Sequence, residues 1–566
     1  MKRTFLFYIK GGYVLKKGLV LMIALLSMVL GAAAASADRI DNLWLSSDGA
    51  FGIDAISWYK EKDVHYLFVP GNVVKDELCI GFDGVDQIQV GEVTLAQGDR
   101  AAALPIDEMV TVSNGSHRYT VCVKQGSKGL PSLHILTESG SLEKVHQNKE
   151  NKEEGELRFV MPDGEVAYDS LLSHIKMRGN SSTTFKKKNY QIKLDKGTDL
   201  MGMGKNKTWI LTGNSRDKSL LRNQITMDMA MYAGLDYTPE HLSADVYINH
   251  EYMGVYLLSE KVMIDPTRIA IADLEGETED LNDDVADCEL VGSRKAVPGQ
   301  YKAYAIEENP EDITGGYLIE FESYASRYKE EASAYHTDRK NTLVTKSPEF
   351  CSVEQMEYIS AFMQAFENAI FSPNGVDEET GKHYSEWIDM DSLVKKYMIE
   401  EISKNYDGNN SSMFFYKPAD EQSTLAFAGP VWDYDSSYGS YAQERNKAVL
   451  KPDGFWINSE TGAKYWWPAL YKQDDFKAAV FARYQETFAP ALEILLGKRE
   501  DPNGILKSLD EYAKEIHDSA QMNVVRWPAL KNPSTVANTG HTFELNIEFL
   551  RTFLQGRYDF LEQEWR

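Results

Sequence analysis

Three short stretches of this 566-residue chain hold residue types that can do chemistry together. In SKNYDGNNSSMFFYKP (403–418), Asp407 sits in a Gly/Asn/Ser loop, and an apolar run, MFFY, begins six residues later. In PVWDYDSSYG (430–439), Asp433 and Asp435 follow a second apolar run, TLAFAG. In IKMRGNSSTTFKKKNYQIKL (175–194), Arg178 and three adjacent lysines flank Gly179, Asn180, Ser181 and Ser182. An Asp between a helix and a hairpin can orient a nucleophilic hydroxyl, and an Asp at the hairpin's far end can hold a divalent metal. Backbone N–H groups of Gly179 to Ser182 can cradle a phosphate, with Arg178 or a lysine on its oxygens. Together these are the parts of phosphoryl transfer, which needs positioning and positive charge more than covalent work by the protein.

Each part also has an ordinary explanation. A lysine cluster blunts a solvated strand edge. Asp407 and the 432–435 loop are turn material. Strand parity places Lys188 with Tyr190, Ile192 and Leu194, and Lys187 with Asn189, Gln191 and Lys193. Which lysine faces a cleft therefore depends on which strand face lines it.

The elements that must position these residues are legible as patterns. Residues 38–150 hold short apolar runs such as HYLFVP, QIQVGEVTL and YTVCVK between Gly, Asn and Asp turns, which predicts a small all-β, sandwich-like domain. KVHQNKENKEEGE (144–156) reads as a linker or long loop. From 157 the pattern becomes α+β. LRFVM, HIKMRG, NYQIKL and TWILTGN read as strands, 219–234 as a helix, and 244–262 as a hairpin turning at Asn249-His250. Residues 273–290 carry nine acids and no base and read as a solvated insertion, the acidic part of about 273–312. The last third reads as mainly helical, with long amphipathic runs at 352–371 and 389–405.

Bulk composition narrows the function. The formal charge is −26. Residues 1–37 hold five bases and no acid, so the rest is more acidic still. Such a surface repels nucleic acid and anionic membrane. LVLMIALLSMVL followed by an A-x-A site at Ala35–Ala37 reads as a cleaved signal peptide over 1–37. The alternative is an uncleaved N-terminal anchor; otherwise membrane contact is transient, and the localisation implied is secreted or cell-surface. Cys79 and Cys122 lie in strand-like runs and read equally as a disulfide or as two buried thiols. No C-x-x-C or H-E-x-x-H spacing supports a zinc site.

In this order, IKMRGNSSTTFKKKNYQIKL, VYINHEYMGVYLLSEKV, GGYLIEFES, KNYDGNNSSMFFYK and GPVWDYDSSYG resemble the CotH kinase family, secreted atypical protein kinases named for a spore-coat protein. The resemblance spans about residues 157–480. It implies a divergent two-lobed protein-kinase-like fold over 157–566, with an N-lobe to about 320 and a helical C-lobe from about 324. It also implies ATP, Mg²⁺ or Mn²⁺, and transfer to a serine or threonine of an extracellular or surface protein. Arg178, Gly179, Asn180, Ser181 and Ser182 match the family's R-G-N-S-S loop, implicated in nucleotide binding. Lys187 and Lys188 match its paired lysines, one of which is expected on phosphate, and Glu260 in YLLSEKV matches that lysine's expected partner. The strand 316–322 would approximate the interlobe connection. Asp407 matches the catalytic-loop Asp, and Asp433, then Asp435, the metal ligand.

Ordinary kinases place a metal-binding Asn five residues after the catalytic Asp. Here that position is Ser412, while Asn409 and Asn410 lie two and three residues after it, and Asn410 is carried as the candidate further metal ligand. Two other readings stay open: a catalytically weak or inactive kinase-like binding or scaffold protein, using the aromatics of KYWWPALY as a surface, and a hydrolase using paired carboxylates.

Overall fold

A computed structural model describes residues 39–322, 325–442, 444–459, 465–528 and 540–566. The segment read as a signal peptide lies outside the described residues. Among those described, no helix is long and apolar enough to cross a membrane. The chain is mixed α+β and divides into two compact units, one of residues up to 67 plus 74–124, the other of 68–73 plus 125–566.

The described part of the first unit holds strands and two short 3-10 turns. One sheet places Asn42–Ser46 between Ile56–Ser57 and Cys79–Asp83. A six-stranded sheet follows, with Gln87–Val90 and Val93–Ala96 forming a tight hairpin. Alternation buries Leu43, Leu45, Ile88, Val112 and Val121. Cys79 and Cys122 are free, buried thiols.

The second unit opens with a closed barrel. Its strands are β1 Ser132–Thr137, β2 Lys152–Val160, β3 Val166–Arg178, β4 Asn189–Asp199, β5 Lys205–Thr212, β6 His241–Ile248 and β7 Glu251–Glu260. They run in the order β1-β2-β3-β4-β5-β7-β6, and β6 closes on β1 in parallel. Period-two side chains fill the interior: Leu133 and Ile135, Leu157 and Phe159, Ile175 and Met177, Tyr190, Ile192 and Leu194. Asn249 and His250, at φ 51° and 69°, make the tight turn between β6 and β7.

The expected boundary at 150 is thus corrected. Residues from 125 pack with the barrel, and the presumed linker contains a short helix, Glu143–Gln147, and the start of β2. Its charges hid the alternation, because only one face of that strand meets the core.

A second, antiparallel sheet has the order β8-β9-β11-β12-β10-β13-β14. These are Leu290–Gly292 (β8), Gln300–Tyr304 (β9), Tyr317–Phe321 (β10), Ala334–His336 (β11), Thr342–Ser347 (β12), Met413–Lys417 (β13) and Phe427–Ala428 (β14). The segment from 324 therefore contributes strands as well as helices. The acidic stretch is also less solvated than its charge implied. It contains the helix Leu274–Leu281, with Leu274 and Thr278 buried, and Gln355 donates to the Thr278 hydroxyl at 2.8 Å.

The helices that matter for the site are α1 Arg222–Tyr232, α2 Val353–Phe371, α3 Met390–Ser403, α4 Leu509–Arg526 and α5 Phe543–Glu564. Ser352 and Gln355 close a capping box at the start of α2, and Asp389 caps α3. Each such cap contributes about 1 kcal/mol. Trp466 and Trp467 are core residues, not a recognition surface.

Candidate active site

Helix α3 ends at Lys404, which takes a left-handed conformation (φ 46°) and donates its ammonium to the carbonyls of Ala448, Lys451 and Asp453 at 3.2, 2.9 and 2.8 Å. The loop it launches is fixed from several sides. Asn405 donates to the Glu400 carboxylate at 2.9 Å, Trp467 to the Gly408 carbonyl at 2.9 Å, and Asn409 to the Ile457 carbonyl at 2.9 Å. Backbone N–H groups of Asn410 and Ser411 donate to the Asp407 carbonyl. The loop then enters β13, which pairs with β10. Everything around the Asp407 carboxylate is tied down, while the carboxylate makes no hydrogen bond among the described residues. Asn409 is buried, with its amide nitrogen committed to the Ile457 carbonyl. Asn410 holds the turn on which Asp407 sits.

Hairpin strands β13 and β14 carry the chain to the second acidic loop. Asp433 has a φ of 67°, a strained conformation for a residue with a side chain. Its neighbours hold it there. Asn223 at the start of α1 accepts the Tyr434 N–H at 2.7 Å. The Tyr434 hydroxyl donates to Glu400 at 2.6 Å, and Glu400 is ion-paired with buried Lys396 at 2.7 Å. Arg222, paired with buried Asp217, donates to the Ser437 carbonyl at 3.0 Å. Helices α1 and α3 thus set both loops.

Asp407, Asp433 and Asp435 lie close enough for their charges to act on one another. Burial pushes Asp407 up to about 6, and the charges of Asp435 and Glu400 add to the rise. Asp433 is likewise at about 6, through desolvation and then Asp407. Asp435 is at about 7, through desolvation and then Asp433. Asp433 stays open to solvent while packed protein around it withholds full hydration. Arg216 opposes the rise at all three, and Arg178 at Asp433.

Arg216 was missed in the sequence, where TGNSRDKSLL carries no motif that marks it. Its guanidinium donates to Ser436 at 3.3 Å and reaches Ser181 at 3.5 Å, over the rings of Tyr441 and Phe185. Ser436 in turn donates to Asp435 at 3.0 Å. A continuous chain therefore links the R-G-N-S-S loop to the second acidic loop. Arg178 lies 5.0 Å over the Trp432 ring. Gly179 is required at its position: φ is 99°, and a β-carbon would meet the Ser182 hydroxyl at 2.0 Å. Ser181–Thr184 then close a 3-10 turn through Thr183 to the Asn180 carbonyl and Thr184 to the Ser181 carbonyl.

The lysine expectation needs correction. Strand β4 begins at Asn189, so strand parity does not extend to Lys187 or Lys188. Lys187 is fully buried, donates to the Val255 carbonyl at 2.6 Å and Asn523 at 2.8 Å, and lies 4.6 Å over the Tyr256 ring. Asn523 belongs to α4, so Lys187 tethers that helix to the barrel. The neighbouring network of Asp245, Ser519 and Tyr252 does the same. Gly254 keeps the room: a β-carbon would sit 2.4 Å from the Asn523 oxygen and 3.0 Å from the Lys187 chain. Lys188 donates to the Thr183 carbonyl at 2.6 Å and braces the R-G-N-S-S turn.

Glu260 is not paired with either lysine. Its carboxylate accepts from the Tyr237 hydroxyl and the Glu240 N–H, both at 3.0 Å, and lies 3.4 Å from Arg268. The next residue, Lys261, is close enough to Arg178 and Lys176 for their charges to act on it. It is half-buried; its carbonyl accepts from Arg268 at 3.2 Å, and its ammonium makes no hydrogen bond or ion pair among the described residues. Desolvation, then the nearby charges of Arg178 and Lys176, brings its ammonium down to about 8. Half-buried Lys176 is lowered for the same leading reason. The strand expected as an interlobe connection is β10, mid-sheet; its Glu320 lies 3.7 Å from Lys346 and feels the charge of Arg178.

Among the described residues, no group of three or more His, Cys, Asp or Glu is arranged to hold a metal ion. A hard cation of the Mg²⁺ type is held by one or two carboxylates, with water and substrate phosphate completing its shell. Asp407, Asp433 and Asp435, whose charges act on one another, have the donor chemistry for such an ion.

A family model described as CotH kinase protein matches residues 175–561, more than half of the chain. The chain belongs to the CotH kinase protein family. It is a kinase-like protein, and the match covers every residue of the site just described. No curated protein matches the sequence.

Proposed function

We propose that this chain is a metal-dependent atypical kinase that transfers the γ-phosphoryl group of ATP to a serine or threonine hydroxyl of an extracellular or cell-surface protein. In this reading the barrel and the helical part act as the two lobes of a kinase-like fold, the β-rich first unit is a separate N-terminal domain, and residues 1–37 direct export. The observation that carries the proposal is the convergence of Asp407, Asp433 and Asp435 beside Arg216 and Arg178.

Asp407 orients the acceptor hydroxyl and accepts its proton as the oxygen bonds to the γ-phosphorus. The bond from that phosphorus to the β,γ-bridging oxygen breaks, and ADP leaves. Asp433, with Asp435 second and Asn410 further out, would hold Mg²⁺ or Mn²⁺, which when bound neutralises charge on the phosphate oxygens. Arg178, Lys176 and Lys261 offer cations to the triphosphate beside the Gly179, Asn180, Ser181 and Ser182 turn. Arg216 holds that turn to the acidic loop.

The test is phosphate release and transfer from ATP by the mature chain, with and without Mg²⁺ or Mn²⁺, against Asp407→Asn. Metal-dependent turnover lost in the variant supports the assignment. Nucleotide binding without turnover in the wild type would replace it with the inactive, scaffold-type reading.

A further inference from the structure

We infer that the barrel carries a second ligand pocket, which takes a small zwitterion bearing an ammonium group at one end and an anionic group at the other. A cavity of about 520 Å³ is lined by Ser139, Lys144, Lys152, Glu153 and His174, with Ser173 and two further glutamates. That volume suits a small molecule.

The backbone builds the pocket. Strand β3 carries an extra residue at Ser173–His174 relative to both neighbours. Glu153 and Gly155 of β2 face Ile175 and Leu172, while Leu194 and Lys193 of β4 face Leu172 and His174. A bulge of this kind re-aims side chains and recurs beside binding sites.

Two buried polar atoms there lack partners. Glu153 is 6% exposed; one carboxylate oxygen accepts the Ser139 N–H at 2.7 Å, and the other, Oε2, has no hydrogen bond. His174 Nε2 is likewise unpartnered. Burial, then Lys152, Lys193 and Lys176, holds that imidazole neutral, near 4.

A buried carboxylate oxygen can only accept, so it calls for a donor. Lys144 and Lys152 can only donate, so they call for an acceptor. A simple anion would serve the lysines and leave Glu153 repelled. A simple amine would do the reverse. A ligand with both charges satisfies both walls. The site is independent of the kinase proposal.

The probe is glycylglycine, with glycine, N-acetyl-glycylglycine and glycylglycinamide beside it, titrated calorimetrically into the 38–566 chain. Glycylglycine binds, and either blocked form binds about tenfold or more weakly. Glu153→Gln weakens glycylglycine by a similar factor. Lys152→Met, at an exposed position, removes the preference for carboxylate over amide. Asp407→Asn binds the dipeptide as the wild type does, which separates this site from the active site. Glycine binding as tightly as the dipeptide identifies a free amino acid as the natural class; dipeptide binding alone identifies a peptide terminus. No heat up to about 10 mM dipeptide, or equal affinities for the blocked forms, overturns the proposal.

Discussion

Two lysine-bearing segments of this protein carry the same charge to opposite ends. At Lys187 the ammonium is buried, with a carbonyl, an amide oxygen and an aromatic face around it. At Lys261 it is half-buried, without a hydrogen bond among the described residues, and crowded by Arg178 and Lys176. A satisfied buried cation stabilises the fold that satisfies it. An unsatisfied one is destabilising until a ligand arrives, which is why perturbed charges gather at functional sites. The carboxylates repeat the contrast. Glu400 and Glu401 of α3 are bonded within the helical core, while the Asp407 carboxylate makes no hydrogen bond among the described residues.

The comparison breaks most visibly at the aspartates. Asp407→Asn should lower phosphate transfer by about 10²- to 10⁴-fold and leave metal–nucleotide thermal stabilisation intact. Asp433→Asn should lose transfer and that stabilisation together. If both variants keep full transfer, the site assignment fails.

The lysines sharpen it next. Lys261→Met should weaken ATP about ten- to a hundredfold by calorimetry with no loss of stability. Lys187→Met should leave ATP affinity nearly unchanged in the folded protein and cost about 1–3 kcal/mol in urea unfolding, because the Val255 carbonyl and Asn523 oxygen lose their donor. The reverse pattern would restore Lys187 as the phosphate ligand.

A smaller effect is expected in pH dependence. Asp407, Asp433 and Asp435 must shed protons near 6, 6 and 7. Transfer should therefore rise with pH between about 5 and 7 and then level off. Arg216→Gln should move that limb upward, because its charge opposes the rise at all three acids. A flat profile across this range would show that these groups do not titrate in the reaction.

The smallest effect is on the unliganded protein. A carboxyl raised in the fold binds more protons there than when unfolded, where it titrates near 3.9. Its favourable contribution is present below that value and is lost as pH rises through 6 to 7. Asp433→Asn should thus raise the melting temperature of metal-free protein slightly at pH 8 and not at pH 4. A drop at pH 8 would mean that Asp433 holds the loop rather than the ligand.

Local pattern carried far into this chain. The hairpin at Asn249-His250, the capped helix after Ser352 and the strand alternation of Tyr190, Ile192 and Leu194 are each fixed by neighbours a few residues away. The two acidic loops were legible for the same reason, since each sits between a helix or hairpin and an apolar run. The barrel's first strands were obscured because Lys152, Glu153 and Glu154 mask a period that only packing reveals.

The sequence by itself determined which residue types are available: three aspartates in two loops, an R-G-N-S-S turn and a cluster of lysines, in an order that belongs to one family. Only the tertiary structure decided which charges are already satisfied. Lys187 meets Asn523, Glu260 meets Arg268, and Arg216 meets Ser181 and Ser436 across 336, 8, 35 and 220 residues of chain. Whether a charge is structural or available depends on partners brought by folding, and spacing along the chain does not encode them.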